Sequence, residues 1–175
     1  MGNRLRSFFR SRHATAAVEF ALIVPVFILM AAGITEFGRY FCVSDAANRL
    51  ATQYANVWSD CSDVPAGTCN TELSTLTASA TIQNFAPQLV ASQASISMFQ
   101  ITMSGSTPTV VYSYPSGGSL SAAQTTAATS TFTNGQSGVI VTVGYTHTLA
   151  FFPELMSPFL GSLLNISYTV AQLKS

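Results

Sequence analysis

The stretch from Ala14 to Arg39, ATAAVEFALIVPVFILMAAGITEFGR, constrains the fold of this chain more than any other. Sixteen consecutive residues, Phe20 to Thr35, carry no charge, and a glutamate stands at each edge, Glu19 and Glu36. Counted from Ala16, the run supplies about 20 residues, enough to cross the hydrocarbon core of a bilayer as a helix. Arg4, Arg6, Arg10 and Arg12 precede it, with no acid before Glu19. This asymmetry predicts one membrane helix with a short basic cytoplasmic end and a long exported C-terminal part.

A basic start followed by an apolar run also describes a secretory signal peptide, with Ala31-Ala32-Gly33 as the small-residue cut site. The residues downstream argue for continuity instead. Tyr40, Val43, Ala47, Leu50, Tyr54 and Val57 recur at steps of three and four, an amphipathic seam that Phe37, Phe41, Ala51 and Trp58 broaden. Glu36 with Arg39, and Asp45 with Arg49, fall at helical spacings. One helix from about Thr15 to Trp58 is predicted, half in lipid and half outside.

Within the apolar run, Pro25 removes a backbone donor and crowds the preceding turn, so a kink or loosened turn is expected there. It is either a packing irregularity or a flexible joint used when the helix leaves the bilayer. Glu19 sits either among the cytoplasmic headgroups, where its charge costs little, or opposite a partner.

Composition sets limits on the remainder of the chain. At 175 residues and 48% hydrophobic, it has room for one modest domain beside the membrane helix. Nothing between Leu50 and Leu173 is basic, so the exported part has no means of neutralising phosphates, which excludes a nucleic-acid surface. Cys42 lies on the helix beyond the membrane run, as a buried or lipid-facing thiol. Cys61 and Cys69 bracket the short segment CSDVPAGTC. Outside the cytoplasm a disulfide is their natural pairing, and a metal would need further ligands that the neighbourhood lacks.

Beyond the cysteines the periodicity predicts a helix from Glu72 to about Phe85, with Leu76, Ala80 and Asn84 at four-residue spacing, ending before Pro87. Four alternating segments then read as strands: Ser95–Met103, Thr109–Tyr114, Gly138–Ala150 and Asn165–Leu173. The fold class expected is α+β: a long N-terminal helix packed by a small antiparallel sheet. Ser119 to Gly138 is rich in Ser, Thr, Ala and Gln, and reads as a flexible loop or a variable partner surface. Phe151 to Leu160, FFPELMSPFL, reads as an apolar loop broken by prolines. Its Phe151, Phe152, Met156 and Phe159 either extend the core or form an exposed patch that docks on another subunit or the membrane surface.

Catalysis has little to stand on. His13 lies in the basic leader, and His147 among threonines reads as a surface strand residue. No nucleophile elbow, P-loop, dinucleotide fingerprint or H-E-x-x-H occurs, and no acid pairs with a nucleophile and an orienting group. No enzyme activity, metal, cofactor or small-molecule substrate is expected.

The segments Ala17-Val18-Glu19-Phe20-Ala21-Leu22-Ile23-Val24-Pro25 and Gly33-Ile34-Thr35-Glu36-Phe37-Gly38-Arg39 resemble the N-terminal signature of the TadE-like family. Its members are minor pseudopilins of the tight-adherence (Tad, or Flp) pilus machinery. The close likeness covers about Ala14 to Leu50; the C-terminal part is similar only in style. The resemblance implies cleavage by a prepilin peptidase between Ala14 and Thr15, with Ala14 where the family has Gly. It makes Glu19 the fifth mature residue, followed by the aromatic Phe20, and Glu36 with Arg39 the second acidic motif. Cleavage would remove four arginines and expose an α-amino group with a pKa near ~8. Glu19 would then neutralise the Thr15 amino group of a neighbouring subunit, setting register more than stability. Gly33 and Gly38 would let helices approach closely.

The expected organisation is a basic cytoplasmic leader (1–14), a transmembrane helix (15–38), its exported continuation (39–60) and an exported α+β domain (61–175). The expected partners are a prepilin peptidase, other Tad pilins and pseudopilins, inner-membrane assembly proteins and membrane lipid, in the bacterial inner membrane or the surface pilus. Two alternatives stand beside it: an uncleaved single-pass protein with an extracytoplasmic binding domain, and a domain released by signal peptidase.

Overall fold

The computed structural model describes residues 12–60, 71, 74–151, 153–161 and 164–174. The chain divides into two compact units, Met1–Arg39 and Tyr40–Ser175. One element, helix α1 (Arg12–Asp60, 49 residues), runs through both, unbroken at Pro25.

From Tyr40 onward α1 is a core element. It buries Val43, Ala46, Ala47, Leu50, Ala51, Tyr54, Ala55 and Trp58. The four alanines on this face bring the helix backbone close to the sheet, while the larger residues fill the space between. The seam expected from the sequence is corrected at its edges: Val57 and Phe41 are exposed, as is Phe37 in the N-terminal unit. Five turns of about 3.6 residues, counted from Tyr40, reach Trp58 and not Val57, so a strict three-and-four pattern drifts off the buried face.

After α2 (Ser79–Phe85) and a short 3₁₀ turn (Ala91–Gln93), four strands follow: β1 (Ala94–Ser104), β2 (Thr107–Tyr114), β3 (Ser137–Thr146) and β4 (Asn165–Leu173). They form one antiparallel sheet in the order β2-β1-β3-β4. Alternation divides the side chains between two faces. Met98, Val139, Val141, Val143, Tyr145 and Ile166 join the α1 core, whereas Phe99, Ile101, Met103 and Ile140 pack with Ala128 and Phe132 on the other side. In β2 the phase changes, because Ile101 pairs with Val110 and Gln100 with Tyr112, leaving Val111 as a bulge. Val110 then joins the second cluster and Tyr112 the first. The architecture is α+β, a long helix packed against a small antiparallel sheet, as the periodicities predicted.

The second face is a correction. Residues 119–138, read from composition as a loop, contain helix α3 (Ala122–Thr131), which covers that face. Its start is a capping box: the Ser121 hydroxyl accepts from the Gln124 N–H at 3.3 Å, and Gln124 Oε1 accepts from the Ser121 N–H at 2.8 Å. The Gln124 amide nitrogen donates to Ser97 Oγ at 3.1 Å and to Thr142 Oγ1 at 2.9 Å, and Thr142 bonds Thr169. This chain of polar groups fastens α3 across β1, β3 and β4. Because Gln124 is buried, Gln124→Ala strands the groups it satisfies. The substitution is expected to cost about 2 kcal/mol in chemical unfolding, against less than ~0.5 kcal/mol for the exposed Thr126→Ala.

Three further expectations change. The helix expected before Pro87 is broken in two: residues 74–76 are helical, Ala78 is extended (φ −62°, ψ 142°), and the helix resumes as Ser79–Phe85. Ile82 is buried in it, followed by Ala86, while Asn84 is exposed; Glu72, Leu73 and the side chain of Ala80 lie outside the described residues. The apolar segment read as a loop forms helix α4 (Pro153–Leu160), with Pro153 at its first position, where no helical N–H is required, and Glu154 in its first turn. Strand β3 ends at Thr146, and His147 is 3% exposed, not a surface residue. Its ring meets Tyr40 edge-on with centroids 6.1 Å apart, and its N–H donates to the Leu164 carbonyl at 2.8 Å.

Candidate functional site

The N-terminal half of α1 carries the residues singled out in the sequence. Ala14 and Thr15 belong to the helix by backbone, though their side chains lie outside the described residues, as do residues 1–11 of the leader. Glu19 and Phe20 are both exposed, one turn further along. Helical rise sets the Glu19 backbone about 6 Å along the axis from that of Thr15. From Val18 to Met30 the large apolar residues except the half-buried Val24 point outward, Leu22 71% and Phe20 69% exposed.

Such exposure is the reverse of a globular core. This is the one helix among the described residues long and apolar enough to cross a membrane: its most apolar 18-residue window has a mean hydropathy of 2.4, and 6% of that window is buried. Thr35, the polar residue closing the run, returns its hydroxyl to the Ala32 carbonyl at 2.8 Å and the Ala31 carbonyl at 3.1 Å. A hydroxyl satisfied by its own helix is cheap to place in lipid. An added Cβ at either Gly33 or Gly38 would meet nothing within 4 Å. Five residues apart, the two glycines lie roughly 140° apart around the helix, so they serve two faces and not one.

The ion pairs expected from spacing are present. Arg39 Nη1 lies 3.5 Å from Glu36 Oε1, and Arg49 Nε lies 3.5 Å from Asp45 Oδ2. The second pair is exposed on both sides and contributes little to stability. The first differs, because the Glu36 carboxylate is buried while Arg39 is half exposed. Burial of a carboxylate beside a guanidinium fixes the position of the charge.

Of the other sites, Cys42 is a free, exposed thiol. Cys61, Cys69 and Phe152 lie outside the described residues, and so do the side chains of Met156 and Phe159; Phe151 is 45% exposed. Among the described residues no cluster of His, Cys, Asp or Glu is placed to hold a metal. An open cleft of about 230 Å³ lies between α1 and α2, lined by Gln53, Tyr54, Asn56, Val57, Leu76 and Phe85. Its lining is apolar in character and offers no nucleophile–base pair; the Tyr54 hydroxyl already donates to the Leu76 carbonyl.

The sequence signal that went unused is the capping box Ser121-Ala122-Ala123-Gln124, which announces α3. Burial of His147 had no comparable signal, since it depends on the turn after β3.

Comparison with curated proteins and with solved structures finds no match to this chain. A family model does match, that of TadE-like protein, over residues 14–55. These residues begin at the expected cleavage point, cover the exposed apolar run and continue through Ala55 into the helix face packed on the sheet. Over residues 14–55, most of α1, the chain is similar to the TadE-like family.

Proposed function

We propose that this protein is a minor pseudopilin or assembly component of a Tad-type pilus, held in the bacterial inner membrane by residues 15–38 of α1. The carrying observation is the TadE-like match laid on a helix whose first half is apolar and exposed and whose second half is built into a folded domain. That division suits a subunit assembled through its N-terminal helix while its C-terminal part remains soluble. It also speaks against a signal peptide cut near Ala31-Ala32-Gly33, a cut that would fall inside an unbroken helix.

In this reading a prepilin peptidase cuts between Ala14 and Thr15, leaving the leader 1–14 in the cytoplasm. Helix residues 39–60 and the domain 61–175 stand outside, with Cys61 joined to Cys69. Glu19 meets the Thr15 amino group of a neighbouring pilin or pseudopilin, Gly33 and Gly38 admit close helix neighbours, and Phe151, Phe152, Met156 and Phe159 dock on another assembly component. The role is structural, without catalysis.

Intact mass and N-terminal sequence of the protein extracted from its own membranes test this first. A start at Thr15 is expected; an intact leader points to a plain anchor, and a start near Ile34 to a secreted domain. Glu19→Ala is expected to reduce piliation at least tenfold while α1 keeps its helicity, because an exposed glutamate contributes little to the fold. Normal processing and normal piliation in that variant would overturn the pseudopilin mechanism.

A further inference from the structure

The two edges of the sheet are not alike. Edge strand β2 carries Pro108, which has no N–H to offer, and the Val111 bulge, both of which discourage strand addition. Edge strand β4 has neither. It pairs with β3 in one unbroken register from Asn165 to Leu173, and none of its nine residues is charged.

Two bonds fix which way its peptide groups point. The Lys174 N–H donates to the Ser137 carbonyl, and the Leu164 carbonyl accepts from the His147 N–H, so even-numbered residues face β3. The N–H and C=O groups of Asn165, Ser167, Thr169, Ala171 and Leu173 therefore point away from the sheet. No strand pairs with that side among the described residues. The apolar core runs up to this edge: Ile166 is buried, while Tyr168 and Val170 on the same face, and Ala171 on the other, are only partly covered.

We propose that the free edge of β4 is a strand-acceptor site for an extended, uncharged segment of another polypeptide, apolar at alternate positions. Main-chain bonds to the five outward residues would supply the affinity. The alternating side chains would continue the layer of Ile166, Tyr168 and Val170, and a charge would find no partner anywhere along the edge. A second copy of this chain fits less well. Pairing β4 with β4 requires a two-fold axis perpendicular to the sheet, which reverses the α1 half lying on it. The Tyr40 ends of the two copies then leave the pair in opposite directions, whereas the anchoring proposed above, on which this exclusion rests, leads both into one membrane. Joining β4 to β2 of a neighbour keeps the helices parallel but meets Pro108 and the bulge.

Residue-resolved amide exchange on the full chain in detergent micelles tests the site. The probe is the peptide GVIVTVGYT, the sequence of Gly138–Thr146 that pairs with the opposite side of β4, carrying a short lysine tail for solubility. At ~1 mM peptide, exchange at Ser167, Thr169 and Ala171 is expected to slow at least tenfold, with Ile166, Tyr168 and Val170 unchanged. Ser167→Pro removes one outward donor from an exposed residue without touching the β3 ladder. It is expected to weaken this protection about tenfold, whereas Ser167→Ala leaves it intact. Should Ser167→Pro fail to fold, the wild-type exchange pattern decides alone. Unchanged exchange with peptide, undiminished protection in the folded proline variant, or slow exchange before any peptide is added would overturn the proposal. Protection that rises with protein concentration alone would replace the partner polypeptide with a second copy. None of these readouts depends on leader cleavage or piliation, so failure here is separable from failure of the pilus reading.

Discussion

Trp58→Ala is expected to remove about 3–5 kcal/mol from the unfolding free energy of the C-terminal unit, the largest loss from any single truncation in its core. Trp58 is 2% exposed and ranks first by volume among the fully buried side chains. Its ring meets Tyr112 edge-on, with centroids 5.9 Å apart, tying the last turn of α1 to edge strand β2. Truncation leaves a cavity that the neighbouring Ala51, Ala55 and sheet residues are too short or too constrained to fill, so the cavity cost adds to the transfer cost. The control is one residue away: Val57 is 43% exposed, and Val57→Ala should change stability by no more than ~0.5 kcal/mol. Denaturant unfolding of the full chain in mild detergent, followed by circular dichroism, separates the two. As the sole tryptophan, Trp58 should also emit at short wavelength in the native protein and shift red on unfolding. Equal effects of the two substitutions would mean that the buried face of α1 is misassigned.

The contrast between Trp58 and Val57 also shows what was legible in the sequence. Long-range order was easy to read: the uncharged run, the continued helix and four alternating strands each rest on many residues repeating one period. Boundaries and faces were harder, because they depend on small mismatches of period and on single turns. The drift that favours Trp58 over Val57 is one example, and the phase change at Val111 is another. Helix α3 was missed for a different reason. It buries only Gln124 and Ala128 along its length, so it carries almost no amphipathic signal and is held by caps and a polar network. For the candidate site, the exposed apolar band was readable because a long uncharged run is a conspicuous composition. The β4 edge was not, since the direction of a peptide group depends on register, which composition does not encode.

Tyr54→Phe is expected to flatten the alkaline pH dependence of stability while costing about 1 kcal/mol near neutrality through loss of one hydrogen bond. In the native chain the Tyr54 hydroxyl donates to the Leu76 carbonyl at 2.5 Å, joining α1 to the short helical segment that precedes α2. Burial pushes its pKa up from 10.0 to about 12, because the phenolate would lose its hydration inside the core. The folded state therefore holds this proton more tightly than the unfolded state does. Its contribution is fully present below pH 10, declines as the unfolded chain begins to ionise, and is lost as the pH passes about 12. A shift of this direction and size makes the wild type less stable by about 2 kcal/mol across that window. The Tyr54→Phe profile should be flatter by the same amount, so the two curves converge and cross within that window. The measurement is denaturant unfolding of both full-length chains between pH 8 and pH 12, with Tyr112→Phe as a second reference for the remaining tyrosines. Parallel curves for wild type and Tyr54→Phe would show that the Tyr54 hydroxyl reaches water in the folded chain. The α1–α2 cleft would then be hydrated where it meets Leu76, and the contact between α1 and the Leu76 segment would be looser than the hydrogen bond implies.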